Sequence, residues 1–129
     1  MKIIYQTATG VAIIHPTGEL SIEEVAAKDV PAGVAFQIVN DDEVPSDRTF
    51  RNALKYDLTV DMPKAQGITK ERLRQERAPL LTALDVQYQR AQEDGRDTTI
   101  IISEKQRLRD VTKLADAATT LDELKALSA

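Results

Sequence analysis

Hydrophobic and polar positions follow one rhythm up to about residue 60 and another after it. In the first part, β-branched runs at residues 3–5 and 11–14 flank Thr-Ala-Thr-Gly, a pattern that predicts a small hairpin turning at Gly10. His15-Pro16 ends its second strand. Ser21 followed by Glu24 has the spacing of a capping box, which opens a helix of about two turns closed by Pro31-Ala32-Gly33. Residues 34–39 read as a third strand, in the middle of the sheet, ended by Asn40-Asp41-Asp42. Pro45-Ser46-Asp47 caps a short helical turn over residues 48–54, and alternating Tyr56, Leu58 and Val60 predict a last strand.

From Asp61 onward the period is 3.6. Leu73, Leu80, Leu81, Leu84, Tyr88 and Ala91 fall within an arc of roughly 100°, the stripe that an amphipathic helix buries. Asp61 is its N-cap and Pro63 lies in the first turn, where a missing amide costs little. Gly67 weakens the helix, and Pro79 predicts a kink over residues 75–79 rather than a break, because the stripe keeps its phase across the proline. Gly95 stops the helix. Asp97, Thr98 and Thr99 open a second segment in which Ile101, Leu108, Val111 and Ala115 recur at helical spacing, making a helical hairpin. Residues 98–103 suit a helix or a strand, since Ile100, Ile101 and Ile102 are all β-branched. Thr120 and Glu123 form a second capping box before a short helix ending at Leu127.

The fold class is therefore α+β. A small antiparallel sheet with a short helix over residues 1–60 precedes a long kinked helix, a helical hairpin and a short C-terminal helix over residues 61–129, the two parts forming one folded unit. Val86, Ile100 and Ile102 are left over by the buried stripes. They predict self-association or partner binding through the hairpin, with Leu84→Asp abolishing folding and Val86→Asp sparing it.

Composition narrows the chemistry. A chain of 129 residues is one domain's worth, and without cysteine it has no disulfide and no thiolate nucleophile or metal ligand. A single Lys and a very short apolar run at the start predict neither a signal peptide nor a membrane span, hence folding in the cytosol. Residues 1–60 carry five basic and nine acidic groups, and residues 61–129 twelve of each. That distribution gives no strongly basic surface for nonspecific nucleic-acid binding.

His15, the only histidine, has no second imidazole or thiol with which to form a triad or a metal cluster. Asp41, Asp42, Glu43 and Asp47 lack the alternating spacing and central glycine of a calcium loop and read as a solvated turn. Lys70, Arg74 and Arg77 fall on neighbouring turns and could meet phosphates. No aromatic residue is interleaved with them, however, and Arg72 and Glu76 have ion-pair spacing, so an exposed, salt-bridged face is the simpler reading. With no nucleotide-binding, nucleophile-elbow or zinc-protease motif, the chain is read as noncatalytic, with no cofactor and no metal. Its candidate partner-binding residues are Lys70, Arg74, Arg77, Val86, Ile100 and Ile102.

Five stretches taken together resemble a known group: Met1-Lys2-Ile3-Ile4-Tyr5, LSIEEVAAKDVPAGVAFQIV, DDEVPSDRTFRNAL, VDMPKAQGITKERLRQERAPLLTALDVQYQRA, and KQRLRDVT with TTLDELKAL. The combination is similar to small proteins of tailed bacteriophages and prophages that are associated with tail fibres. The resemblance spans nearly the whole chain. In that group the Phe50-Arg51-Asn52-Ala53 segment usually continues with tryptophan, where this chain has Leu54-Lys55-Tyr56. TTLDELKAL is similar in position to the C-terminal segment of tail-fibre assembly proteins. The resemblance implies a tail-tip or fibre-junction component, or a fibre-assembly chaperone. Such a protein would act in the host cytoplasm during assembly or in the virion tail, contacting a tail-fibre protein and its own copies as a dimer or trimer. The alternative is a phage regulator that binds nucleic acid or a host defence protein.

Overall fold

The computed structural model describes all residues from Met1 to Ala129 and divides into two compact units, Met1–Asp61 and Met62–Ala129. The first is a three-stranded antiparallel sheet with a helix; the second is entirely helical.

In the first unit, β1 (Lys2–Gln6) and β2 (Val11–Ile14) form the hairpin, with Ile3 opposite Ile14 and Tyr5 opposite Ala12. The turn closes through the Thr7 amide, which donates to the Gly10 carbonyl at 2.7 Å. The capping box is present: the Ser21 amide donates to the Glu24 carboxylate at 2.8 Å and the Glu24 amide to the Ser21 hydroxyl at 3.3 Å. It opens α1 (Ile22–Asp29), whose Val25 and Ala26 pack with Val30 against Ile3.

The third strand, β3 (Phe36–Val39), is shorter than the sequence pattern suggests and is not the middle strand. The order is β2-β1-β3, so β1 is central. Its two faces explain why: Ile3 is covered on the α1 side and Ile4 on the other, each with no accessible surface. Phe36 and Ile38 share the Ile3 face but lie at the sheet edge, and both stay exposed.

Residues 40–60 cover the Ile4 face with loop rather than strand. Asp41–Glu43 is a single 3-10 turn, in which the Asn40 amide donates to the Glu43 carboxylate at 2.6 Å. The helical turn expected over residues 48–54 shrinks to a 3-10 turn, Arg51–Ala53. No fourth strand forms at Tyr56, Leu58 and Val60; only an isolated bridge joins Leu54 to Val60. The cause is local. Leu58 takes a left-handed φ of 66°, and the Lys55 amide donates to the Thr59 carbonyl at 2.8 Å, folding the segment into a tight loop. Tyr56 and Leu58 pack against Ile4, Val39 and Val44, so their alternation comes from lining a sheet face.

In the second unit, α2 (Met62–Glu93) runs as one helix through Pro79, where the missing amide leaves the Gln75 carbonyl without its usual donor. Its buried residues are Ala65, Thr69, Leu73 and Ala91, while Leu81, Leu84 and Tyr88 are half-buried and Leu80 is 44% exposed. Leu80 thus lies outside the seam, and Leu84 is not a fully buried anchor. Ala65, Thr69, Leu73, Arg77 and Leu81 follow each other at i+4, and each such step turns about 40° around the helix. The drift does not continue, since Ala91, five full turns on from Leu73, is buried on the same meridian, while Leu80, on nearly that meridian, stays exposed. The buried Thr69 hydroxyl is satisfied by the Ala65 carbonyl at 3.0 Å.

A Schellman motif ends α2. The Arg96 amide donates to the Ala91 carbonyl at 2.8 Å and the Gly95 amide to that of Gln92 at 3.2 Å, with Gly95 at φ 68°. The ambiguous residues 98–103 are helical, within α3 (Thr99–Asp110). The second segment then breaks at Val111 and Thr112 and resumes as the short α4 (Lys113–Ala117). The last helix, α5 (Leu121–Ala126), has half of the expected capping box. Thr120 caps the Glu123 amide at 3.2 Å, but the Glu123 carboxylate accepts from the Thr119 amide, one residue earlier. α3, α4 and α5 all pack on α2 and bury Leu108, Val111, Ala115 and Leu124. No helix is long and apolar enough to cross a membrane.

Candidate functional site

The basic stripe on α2 is largely consumed within the second unit. Lys70 forms an ion pair with Asp116 of α4. Arg77 donates to the carbonyls of Leu108 at 3.3 Å and Arg109 at 2.9 Å, meeting orphan acceptors in the last turn of α3. Arg74 pairs loosely with Glu71 at 3.4 Å on the same helix, and Arg72 with Glu76 at 2.8 Å. The three cations singled out as one contact surface therefore do different work, two as internal ties and one on an exposed helix face.

The apolar residues left over by the sequence stripes are exposed, Val86 to 44%, Ile100 to 82% and Ile102 to 50%. The two on α3 do not share one patch. Ile100 and Ile102 lie about 160° apart around α3, so a flat partner cannot cover both. Ile102 has company: it lines a shallow depression of about 280 Å³ with Tyr88, Lys105 and Arg109. Ile102, Lys105 and Arg109 are spaced i, i+3 and i+7, which places them along one side of α3.

This depression has a definite polarity. The Lys105 ammonium sits 2.6 Å from Asp85 and 5.2 Å from the centre of the Tyr88 ring, with its side chain only 16% exposed. Its charge is neutralised and its stem helps to build the wall. The Tyr88 hydroxyl accepts from the Gln92 amide at 2.9 Å, which leaves its own proton to donate. Arg109 is exposed at the rim, and its guanidinium faces no carboxylate. An aliphatic floor, a phenol donor and an open cation suit a segment that carries an apolar side chain next to an acid. Tyr88 falls on the stripe that the sequence assigns to the core, and the i, i+3, i+7 spacing from Ile102 is the one sequence signal of Lys105 and Arg109.

The acidic run does not converge. Asp41 pairs with the N-terminal ammonium at 3.0 Å, Glu43 caps Asn40, and Asp47 accepts from the Thr49 amide and hydroxyl. No group of three or more acidic or imidazole side chains is gathered to hold a metal ion. His15 is exposed beyond β2 and titrates below its ordinary value, first through partial desolvation and then through the positive charges of Lys2, Arg51 and Arg48. Comparison with protein-family models, with curated proteins and with solved structures gives no match.

Proposed function

We propose that the protein is a noncatalytic component or assembly chaperone of a bacteriophage tail, working by protein contact through the α2–α3 depression. The observation that carries the contact reading is the depression formed by Tyr88, Ile102, Lys105 and Arg109, where an exposed isoleucine adjoins a cation without an internal partner. The tail assignment is supported by the resemblance of the five sequence stretches and by nothing else. Its occupant is a segment of the tail-fibre protein with an aliphatic residue beside a carboxylate, the arrangement that complements Ile102 and Arg109.

Co-expression with a tail-fibre protein, followed by gel filtration and by mass spectrometry of purified particles, tests this reading. Co-migration that is lost in Ile102→Asp and in Arg109→Glu supports it. Failure to co-migrate, together with absence from particles, sinks it. Light scattering of the protein alone separates a second copy in the same depression from a fibre segment, because only the former gives a dimer or trimer that Ile102→Asp dissociates.

A further inference from the structure

We propose that the first unit binds a small hydrophilic oxyanion, a phosphate or carboxylate carried on a hydroxylated body, in the depression lined by Thr7, Thr9, Gly10, Val11, Arg51 and Asn52. At about 410 Å³ the depression has the size of a ligand site rather than of a surface dimple. Val11 is its one apolar side chain, so a hydrophobic occupant would gain little there. A polar occupant would find the Arg51 guanidinium, the Asn52 amide and two hydroxyls. None of these four side chains hydrogen-bonds to another group of the protein, so all remain available to a ligand.

Charge selects the sign of that ligand. Acids outnumber bases in this unit, yet none lines the depression, and the half-buried Arg51 has no carboxylate partner. A guanidinium offers a planar fork of donors that matches the two oxygens of a carboxylate or phosphate. His15 titrates below its ordinary value first through desolvation, and then through the positive charges of Lys2, Arg51 and Arg48.

Both walls are held before any ligand arrives. The Gly10 carbonyl accepts from the Thr7 amide at 2.7 Å and from the Gln6 side chain at 2.8 Å, and that same side chain donates to the Thr7 carbonyl at 3.1 Å. Opposite, the Arg51–Ala53 turn is pinned by the Ala53 amide on the Phe50 carbonyl at 2.9 Å, with Phe50, Ala53 and Leu54 all buried beneath it. The two walls approach closely, since a Cβ at Gly10 would stand 3.8 Å from the Asn52 carbonyl oxygen. Little ordering is left for binding to offset, which is what preorganisation means here.

Titration of the full chain with glucose 6-phosphate, gluconate, inorganic phosphate and glucose, followed by amide NMR shifts, tests the site. The expected result is saturable movement of the amides of residues 7–11 and 51–53 with one or both anionic sugars, weaker movement with inorganic phosphate and none with glucose. The ratio of the glucose 6-phosphate and gluconate affinities tells phosphate from carboxylate. Arg51→Gln should weaken binding by about tenfold or more, because it removes a charge-assisted bond to the ligand and no internal hydrogen bond. Thr9→Val, at an exposed hydroxyl, should weaken it severalfold and serves as the second variant if Arg51→Gln folds poorly. The inference is overturned if no anion moves these amides in the millimolar range, if the movement maps to Lys105 and Arg109 instead, or if both variants bind like the wild type.

Discussion

The Arg77 guanidinium donates to the main-chain carbonyl of Arg109 at 2.9 Å, so one arginine closes the end of α3 from a neighbouring helix. The last carbonyls of a helix lack internal donors and carry the negative end of its dipole, and a cation placed there meets both needs. Arg77→Met keeps the aliphatic stem and removes the tie. It should lower the stability of the helical unit by about 1–2 kcal/mol, the range for a hydrogen bond to a charged group reduced for partial exposure. Lys70→Met, which breaks an ion pair whose Asp116 side is 57% exposed, should cost less than about 1 kcal/mol. Urea denaturation of the two variants checks the order, and equal losses would show that Arg77 acts as an ordinary surface cation.

Two glycines of the helical unit should respond to alanine with opposite signs. Gly67 lies exposed within α2, and a Cβ there meets nothing within 4 Å, so Gly67→Ala should stabilise by about 1 kcal/mol through helix propensity alone. Gly95 has equal room but a φ of 68°, a conformation that costs an L-residue about 1–2 kcal/mol. Gly95→Ala should therefore destabilise by about 1 kcal/mol, and Gly95→Asn by less, because asparagine tolerates the left-handed region. Thermal unfolding of the three variants decides the matter. A Gly95→Ala protein as stable as wild type would mean that the turn adopts another geometry in solution.

The features legible in the sequence are those fixed by neighbours in the chain. Ser21 with Glu24 and the stop at Gly95 depend on residues within one helical turn, and both are present. Where a reading failed, a distant partner decided. Tyr56, Leu58 and Val60 alternate as a strand would, but the same alternation results when a loop presents every second side chain to a sheet face, and Leu58 adopts a φ that a strand cannot hold. The place of β3 at the edge follows from its pairing with β1, which periodicity does not encode. In the candidate site, the exposure of Ile102 was legible because no stripe claimed it. Lys105 was not, since its burial depends on Asp85 and Tyr88 of another helix.

Acid should loosen the helical unit in part through Asp97. Its carboxylate accepts from the Thr99 hydroxyl at 2.6 Å and the Thr99 amide at 2.9 Å, bonds that hold it below the usual aspartate value. A carboxyl depressed in the folded state contributes stability that is complete above its unfolded pKa, about 3.9, and is lost as pH falls through the lower folded value. Asp97→Asn cannot titrate, so its Tm should fall less steeply than that of wild type below about pH 4. In the sheet unit, Glu24 is held down first by the Ser21 amide and Asp57 first by the Thr59 hydroxyl, so both follow the same sign. Parallel pH profiles for wild type and Asp97→Asn would remove Asp97 from the account.

The leucines of α2 are unequal, although their spacing presents them as one stripe. Leu73 has no accessible surface and Leu80, seven residues on, is 44% exposed. Truncating a fully buried leucine forfeits its transfer energy and leaves a cavity, so Leu73→Ala should cost about 2–5 kcal/mol. Leu80→Ala removes atoms that already touch water and should cost less than about 1 kcal/mol. Half-buried Leu84 falls between them: Leu84→Asp should lower Tm clearly without abolishing folding, while Val86→Asp, at an exposed position, should leave Tm nearly unchanged. Denaturant midpoints and m-values for the four variants test the ranking. If Leu80→Ala proved as costly as Leu73→Ala, the helices would bury the stripe evenly along its length, and Leu80 would not stand in water as it does here.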